Sequence, residues 1–209
     1  LCARALEADI EPQYVRELIM RHKLVPEQTP CRDDNWPWSL KIYALGRFEI
    51  VRQGERLVFS RKKQEKPLSL LKALIIQGGK EVNADWLCDI LWPSATGDSA
   101  RSSLKMTLSR LRRLLGDDQL IEVREGKLTL NPAKCWVDAW DFNDSVKMID
   151  TLISRWQSTD AGQSNMQHVK EPRTGQPPIE LRKQELQQLT VLMNRVTHLY
   201  AGEFLHGER

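Results

Sequence analysis

The segment from Asp98 to Leu115 constrains the fold of this chain more than any other, because its small and apolar residues recur at the spacing of one helical face. At about 100° per residue, six of them fall on a single stripe. These six are Ala100, Leu104, Thr107, Leu108, Leu111 and Leu115. The segment therefore predicts a helix with one buried side, which begins at Asp98 or Ser99 and ends at Gly116.

The opposite side of this predicted helix is polar and basic. The segment holds five basic residues against one acidic residue, a net charge of +4, whereas the whole chain carries +3. Lys105, Arg110 and Arg112 lack an acidic residue three or four positions away that would neutralise them. A run of charges is also typical of a solvated surface. However, Arg, Ser and Met on one helix face suit guanine acceptors, phosphates and thymine methyl groups in the major groove of DNA.

The elements around this helix predict an α+β fold. Three short strands of an antiparallel sheet precede it, over 40–45, 48–51 and 57–59, with a turn at Gln53-Gly54 before the third. Two further helices are predicted over 67–77 and after Asn83, a residue that caps helices well. After the basic helix, 120–123 and 127–130 flank a glycine turn. They predict a β-hairpin that carries Arg124 and Lys127.

The regions on either side are predicted to be helical. An amphipathic helix over 12–24 and a proline-bearing linker are interpreted as the end of an upstream domain. Helices over 141–156 and 181–200 follow the hairpin, and the stretch between them is interpreted as a mobile loop over 157–179. Asp138 and Asp141 are interpreted as helix-capping carboxylates. The predicted domains are 1–38, 39–132 and 133–209.

The run from Leu104 to Leu115, above all its Ser-Arg-Leu-Arg-Arg core, resembles the recognition helix of OmpR-type winged-helix transcription factors. The order of strands, three helices and hairpin is similar as well. Several short motifs resemble antibiotic regulatory proteins and the bacterial transcriptional activation domain that follows in them; they are Leu45-Gly46-Arg47-Phe48-Glu49, Arg61-Lys62-Lys63-Gln64, Leu91-Trp92-Pro93, and the runs 137–142 and 200–205. Residues 14–24 with Trp36-Pro37-Trp38 are similar to the segment that joins such a module to the sensor portion of larger MalT-like regulators.

This resemblance implies a winged helix-turn-helix with an N-terminal antiparallel sheet, a C-terminal hairpin wing and an appended helical segment for activation or dimerisation. It implies sequence-specific binding of double-stranded DNA by a bacterial transcriptional regulator, more an activator than a repressor, that forms dimers on direct-repeat sites and contacts RNA polymerase. The third helix would enter the major groove, and the wing would contact the adjacent backbone or minor groove. The candidate contacts are Arg101, Ser102, Ser103, Lys105, Met106, Ser109, Arg110, Arg112 and Arg113 on the helix, Arg124 and Lys127 on the wing, and Lys62 and Lys63 on the DNA backbone.

Other classes of function find less support. The four histidines are dispersed, and the sequence holds no Gly-rich phosphate loop, HExxH, GxSxG or EF-hand pattern, so neither a catalytic residue nor a cofactor is predicted. The four cysteines form no CxxC pair, so no metal site is predicted, and scattered thiols suit a reducing cytoplasm. No apolar run reaches the ~18 residues of a membrane span. The alternative to DNA binding is an adaptor that binds protein or RNA through the basic helix, without DNA sequence specificity.

Overall fold

A computed structural model of the chain describes residues 1–22, 24, 36–59, 61–161 and 179–205. The side chains of residue 7, residues 61–63, 159–161 and 179–182 lie outside this description. Most of the predicted linker and residues 162–178 of the predicted mobile loop also lie outside the described residues. The described residues form two compact units, one comprising 1–22, 24, 36–43, 48–59 and 61–137, the other 44–47, 138–161 and 179–205.

The described part of the chain mixes helices and strands, which confirms the α+β class. The helices are α1 (Cys2–Glu7), α2 (Pro12–His22), α3 (Arg61–Ile76), α4 (Ala84–Leu91), α5 (Gly97–Leu115), α6 (Asp138–Ala161) and α7 (Ile179–Leu199). The strands are β1 (Leu40–Tyr43), β2 (Glu49–Arg52), β3 (Glu55–Arg56), β4 (Val82–Asn83), β5 (Ile121–Arg124), β6 (Lys127–Leu130) and β7 (Cys135–Val137). None of these helices is long and apolar enough to cross a membrane. Helix α1 was not predicted from the sequence, and α2 ends two residues before the predicted boundary.

The first sheet has the strand order β3-β2-β1-β7. Strands β1, β2 and β3 are antiparallel as predicted, whereas β7 joins β1 in parallel. The prediction of a third strand over 57–59 was wrong, because the two-residue turn at Gln53-Gly54 brings Glu55 directly opposite Arg52. Both turn residues have positive φ angles of 50° and 87°, which match the type I′ turns that favour such short connections. The sequence also gave no signal for β7, since three consecutive buried residues lack the alternation of a half-exposed strand.

Three helices and a second sheet complete the first unit. Helices α3, α4 and α5 pack against one another through fully buried leucines, among them Leu70, Leu87 and Leu111. Helix α3 begins six residues before the predicted start and contains Pro67. Proline usually marks a helix end because it removes one backbone N–H, and here the helix continues through it. The second sheet, β4-β6-β5, contains the predicted hairpin of β5 and β6, and β4 adds an edge strand that the sequence did not predict.

At the ends of α4 and α5, two of the three predicted helix boundaries agree with the structure. Asn83 caps α4 as predicted, since its Oδ1 atom accepts hydrogen bonds from the N–H groups of Asp85 (2.7 Å) and Trp86 (3.4 Å). The predicted cap of α5 at Asp98 or Ser99 was wrong, because the helix begins at Gly97 and Thr96 occupies the cap position without a side-chain hydrogen bond. Gly116 ends α5 as predicted, in the left-handed conformation with φ of 76° that glycine adopts readily.

The second unit is built on α6 and α7, which pack against each other. Two of its carboxylates, Asp141 and Glu185, are buried and paired. The Nε atom of Arg195 donates to Oδ1 of Asp141 at 3.0 Å, and Glu185 accepts hydrogen bonds from Arg155 (3.0 Å) and from the Trp156 indole (2.7 Å). The prediction of a loop over 157–179 was wrong at both ends, because α6 extends to Ala161 and α7 begins at Ile179.

Asp138 ties the start of α6 to residues 44–45. Its Oδ1 atom accepts hydrogen bonds from the N–H groups of Ala44 and Ala139, both at 2.7 Å, and Oδ2 accepts one from Leu45 at 3.0 Å. Burial raises the pKa of Asp138 above its ordinary value, although these hydrogen bonds oppose the rise. Asp138 therefore does more than cap its own helix, because it satisfies the backbone of a distant loop.

Replacement of Asp138 by alanine is expected to lower the free energy of unfolding by about 1–3 kcal/mol, because three buried backbone N–H groups lose their acceptor. Urea unfolding followed by circular dichroism measures this change. The matched control is Asp144→Ala on the same helix, whose carboxylate forms only an exposed pair with Lys147. Equal stability of Asp138→Ala and the wild type would contradict this role.

Candidate nucleic-acid interface

Helix α5 is amphipathic in the way the sequence predicts. Its buried residues are Ala100, Leu104, Thr107, Leu108, Leu111 and Leu115, the same six that were assigned to the apolar stripe. Leu111 and Leu115 have no exposed surface at all. The helix is thus fixed from behind by α3 and α4, and its orientation about its own axis is determined by packing.

Most of the predicted contact residues of α5 are exposed. The exposed ones are Arg101, Ser102, Lys105, Met106, Ser109, Arg110 and Arg113, and the half-buried ones are Ser103 and Arg112. Met106 is 57% exposed. The structure therefore brings seven of the nine predicted helix residues to one accessible surface, which we call the α5 outer face.

The cations of the α5 outer face differ in their partners. Among the residues that the structure describes, Lys105, Arg110 and Arg113 form no ion pair. Their charge is thus available to an external anion.

Arg101 is held by a carboxylate of the neighbouring helix. Its Nε atom donates a hydrogen bond to Oδ1 of Asp85 at 3.0 Å, and its Nη2 atom lies 3.0 Å from the same oxygen. This hydrogen bond and the charge of Asp85 raise the pKa of Arg101 above its ordinary value. Both side chains remain more than 60% exposed, so the pair lies at the surface and Arg101 stays accessible.

Arg112 points away from the outer face. Its Nη2 atom donates to the carbonyl oxygen of Ile121 on β5 at 2.6 Å, and its Nε atom is buried without a hydrogen-bond partner. Arg112 therefore links α5 to the hairpin. The sequence placed Arg112 on the shoulder of the helix, but it could not show that a β5 carbonyl lies within reach.

The hairpin carries its two predicted cations near its tip. Glu125 and Gly126 form the turn with positive φ angles of 50° and 74°. Arg124 forms an ion pair with Glu122 at 3.0 Å, and Lys127 one with Glu81 at 3.4 Å; Glu122 is half-buried and the other three residues are exposed. Exposed pairs of this kind contribute little stability, so either cation can exchange its partner for another anion at small cost. Lys62 and Lys63 lie in the first turn of α3, and their side chains are outside the described residues.

Sequence reasoning missed the carboxylates beside these cations. Asp85 and Glu81 come from α4 and from the residue before β4, so the sequence gives no signal that they meet Arg101 and Lys127. Glu122 precedes Arg124 by two positions on β5, where alternate residues share a face, so this pair could have been predicted. Asp117 belongs to another pair, with Lys134 at 2.8 Å. Its partial burial favours a higher pKa, but the hydrogen bonds from Lys134 and from the Gln119 N–H lower the pKa below its ordinary value.

A scan against protein-family models finds no family that matches this chain, and a search of the curated proteins finds no match either. Among the described residues, no group of three or more His, Cys, Asp or Glu side chains is placed to hold a metal ion. The role of the α5 outer face therefore has to be inferred from its own geometry and charge.

Arg112 and Arg113 are adjacent on α5 but differ in their contacts, so their alanine variants test whether Arg112 links α5 to the hairpin. Arg112→Ala is expected to lower the free energy of unfolding by about 1–3 kcal/mol, because a hydrogen bond from a charged group is lost. Arg113→Ala is expected to change it by no more than about 0.5 kcal/mol, as at other exposed sites. Chemical denaturation of the two variants measures both values. An equal loss in the two variants would show that Arg112 has no linking role.

Proposed function

We propose that this chain is a transcription regulator that binds double-stranded DNA sequence-specifically, with α5 in the major groove. The observation that carries this proposal is the α5 outer face, where Lys105, Arg110 and Arg113 remain unpaired among the described residues while the opposite side of the helix is buried. A helix of 19 residues is about 28 Å long. With its back packed, such a helix fits a groove about 12 Å wide.

The side chains of the outer face supply the chemistry of base recognition. The Arg110 guanidinium offers paired donors for O6 and N7 of guanine. The hydroxyl groups of Ser102 and Ser109 can bond a base edge or a phosphate, and Met106 offers an apolar contact for a thymine methyl group. Arg113 and Lys105 add charge for the phosphate backbone.

The hairpin of β5 and β6 fits the role of a wing beside such a helix. It follows α5 directly and carries Arg124 and Lys127 at the two strand ends next to its turn. The order of sheet, three helices and hairpin supports a winged helix-turn-helix, and with the α5 sequence it supports the resemblance to OmpR-type regulators. We assign Arg124, Lys127, Lys62 and Lys63 to contacts with the sugar-phosphate backbone.

The same resemblance underlies the wider biological role that we propose. The chain would act in the bacterial cytoplasm as part of a larger MalT-like regulator, more an activator than a repressor, that binds direct repeats as a dimer. The segment of α6 and α7 would serve activation or dimerisation, and RNA polymerase would be its partner. No catalytic step and no cofactor is part of this proposal.

Selection from a random pool of duplex oligonucleotides tests the proposed function directly. The chain is expected to enrich a direct repeat whose half-sites lie ~10 bp apart, one helical turn, since tandem copies then face the same side of the DNA. Equal binding of all duplexes, together with equal binding of single-stranded RNA, would contradict sequence-specific DNA binding. That result would favour the adaptor that uses the basic helix on an acidic partner.

Replacement of Arg110 by alanine is expected to weaken binding to the selected duplex by about 1–3 kcal/mol and to relax the preference at one base pair. Fluorescence anisotropy with the selected duplex and its single-base variants measures both effects. Arg56→Ala is the control, because Arg56 is an exposed arginine of β3 that pairs with Glu49. If Arg110→Ala keeps the full sequence preference, Arg110 does not read a base.

Replacement of Lys127 by alanine is expected to weaken binding to all duplexes alike, since a phosphate contact carries no sequence information. If six to eight phosphates are neutralised, the wild-type affinity should fall about a thousandfold between low and moderate salt. Lys127→Ala should reduce the slope of log K against log salt concentration by about 1. Lys147→Ala on α6 serves as the control. A loss confined to the selected duplex would contradict a backbone contact for Lys127.

A further inference from the structure

The pair of Asp85 and Arg101 has a geometry that leaves part of the arginine available for recognition. Asp85 lies in the first turn of α4 and Arg101 in the second turn of α5. The carboxylate oxygen Oδ1 lies 3.0 Å from both Nε and Nη2, which form the side edge of the guanidinium group. The pair therefore joins two helices through one edge of the arginine.

The other edge of the Arg101 guanidinium is not used in this pair. Nη1 and the second N–H of Nη2 form the end of the fork, and Nη1 takes no part in the contact with Asp85. The Arg101 side chain is 65% exposed, so the guanidinium group is accessible to a ligand. An arginine has five N–H donors in a fixed plane, and the paired end donors match the O6 and N7 acceptors of guanine.

Because Asp85 restrains the Arg101 side chain, a contact of Arg101 with one particular base is favoured over non-specific attraction to the DNA. A free arginine loses much conformational freedom when it is fixed against a base, whereas Asp85 already limits the rotamers of Arg101. Arg124 and Lys127 also pair with carboxylates, but Arg124 pairs within its own hairpin and lysine has no planar fork. Asp85 is thus the one carboxylate among these pairs that links α4 to an arginine of α5.

We propose that Asp85 is a positioning residue that holds Arg101 for the recognition of one guanine in the major groove. This inference rests on the proposed function of DNA binding and assigns a specificity-determining role to an ion pair within that surface. Its signature is a change in base preference, which simple electrostatics does not predict. Removal of a negative charge beside a polyanion normally strengthens binding, but removal of Asp85 is expected to weaken the discrimination between bases.

The experiment compares Asp85→Ala with Asp89→Ala. Asp89 lies one turn later on the same helix, is exposed, and forms no ion pair with a described residue. The probe is the duplex most enriched by the wild-type chain from a random pool, together with its single-base variants. Asp85→Ala is expected to lower the preference for guanine at one position about threefold to fivefold, the range that an exposed ion pair can supply, while Asp89→Ala keeps that preference.

Variants of Arg101 identify the base pair that Arg101 recognises. They also test the positioning role without a change at Asp85. Arg101→Ala is expected to lose the preference at the same base pair, and the double variant with Asp85→Ala is expected to lose no more, because the two residues act as one unit. Arg101→Lys keeps the charge without the fork, so it should retain affinity for unrelated duplexes and lose the preference. Thermal unfolding of each variant verifies the fold, and if Asp85→Ala is unfolded, Arg101→Lys carries the test of the positioning role.

The outcomes separate this inference from the proposed function. Enrichment by the wild type, with an unchanged preference in Asp85→Ala or in Arg101→Lys, would overturn the positioning role and leave DNA binding intact. Equal gains in affinity from Asp85→Ala and Asp89→Ala, without loss of preference, would show a general electrostatic effect and overturn it too. If the wild type enriches no sequence, both the proposed function and the positioning role fail.

Discussion

The burial of one side of α5 is the interaction on which the rest of the structure depends. Six residues of one stripe pack inward, and the fully buried Leu111 and Leu115 give the helix no freedom to turn about its axis. Because each buried leucine contributes about 2 kcal/mol relative to exposure, this packing far exceeds the cost of leaving several cations close together on the outer side. The polar face is therefore fixed in direction before any ligand is present.

The basic residues of α5 fall into two groups with different physical roles. Lys105, Arg110 and Arg113 are unpaired among the described residues, whereas Arg101 is shared with Asp85 and Arg112 is bonded to a β5 carbonyl. Exposed ion pairs contribute little to stability, so a pair such as Asp85 with Arg101 matters more for where it holds a side chain than for the energy it adds. Two basic residues of α5 are thus held by contacts within the chain, and three are available to bind an external anion.

The sequence predicted the structure correctly where a periodic pattern, or a single residue acting on its neighbours in the chain, determines it. The buried stripe of α5, the cap at Asn83, the end at Gly116 and the glycine turn of the hairpin were all predicted. Features that depend on residues far apart in the sequence were not predicted. Strand β7 exists because it pairs with β1, almost a hundred residues earlier, and the contact of Arg101 with Asp85 depends on how two helices pack. The start of α3 was misplaced because Pro67 lies inside the helix.

The most direct test of the central claim is a methyl NMR titration of the chain with the selected DNA duplex. Met106 on α5 and Met193 on α7 are almost equally exposed, at 57% and 56%, so a difference in their response does not come from a difference in exposure. If the α5 outer face is the contact surface, the Met106 methyl signal shifts or broadens on addition of a duplex that holds a single half-site, on which no dimer is expected, while the Met193 signal stays unchanged. A shift of Met193 with an unchanged Met106 would contradict the account, because α5 would then not face the DNA.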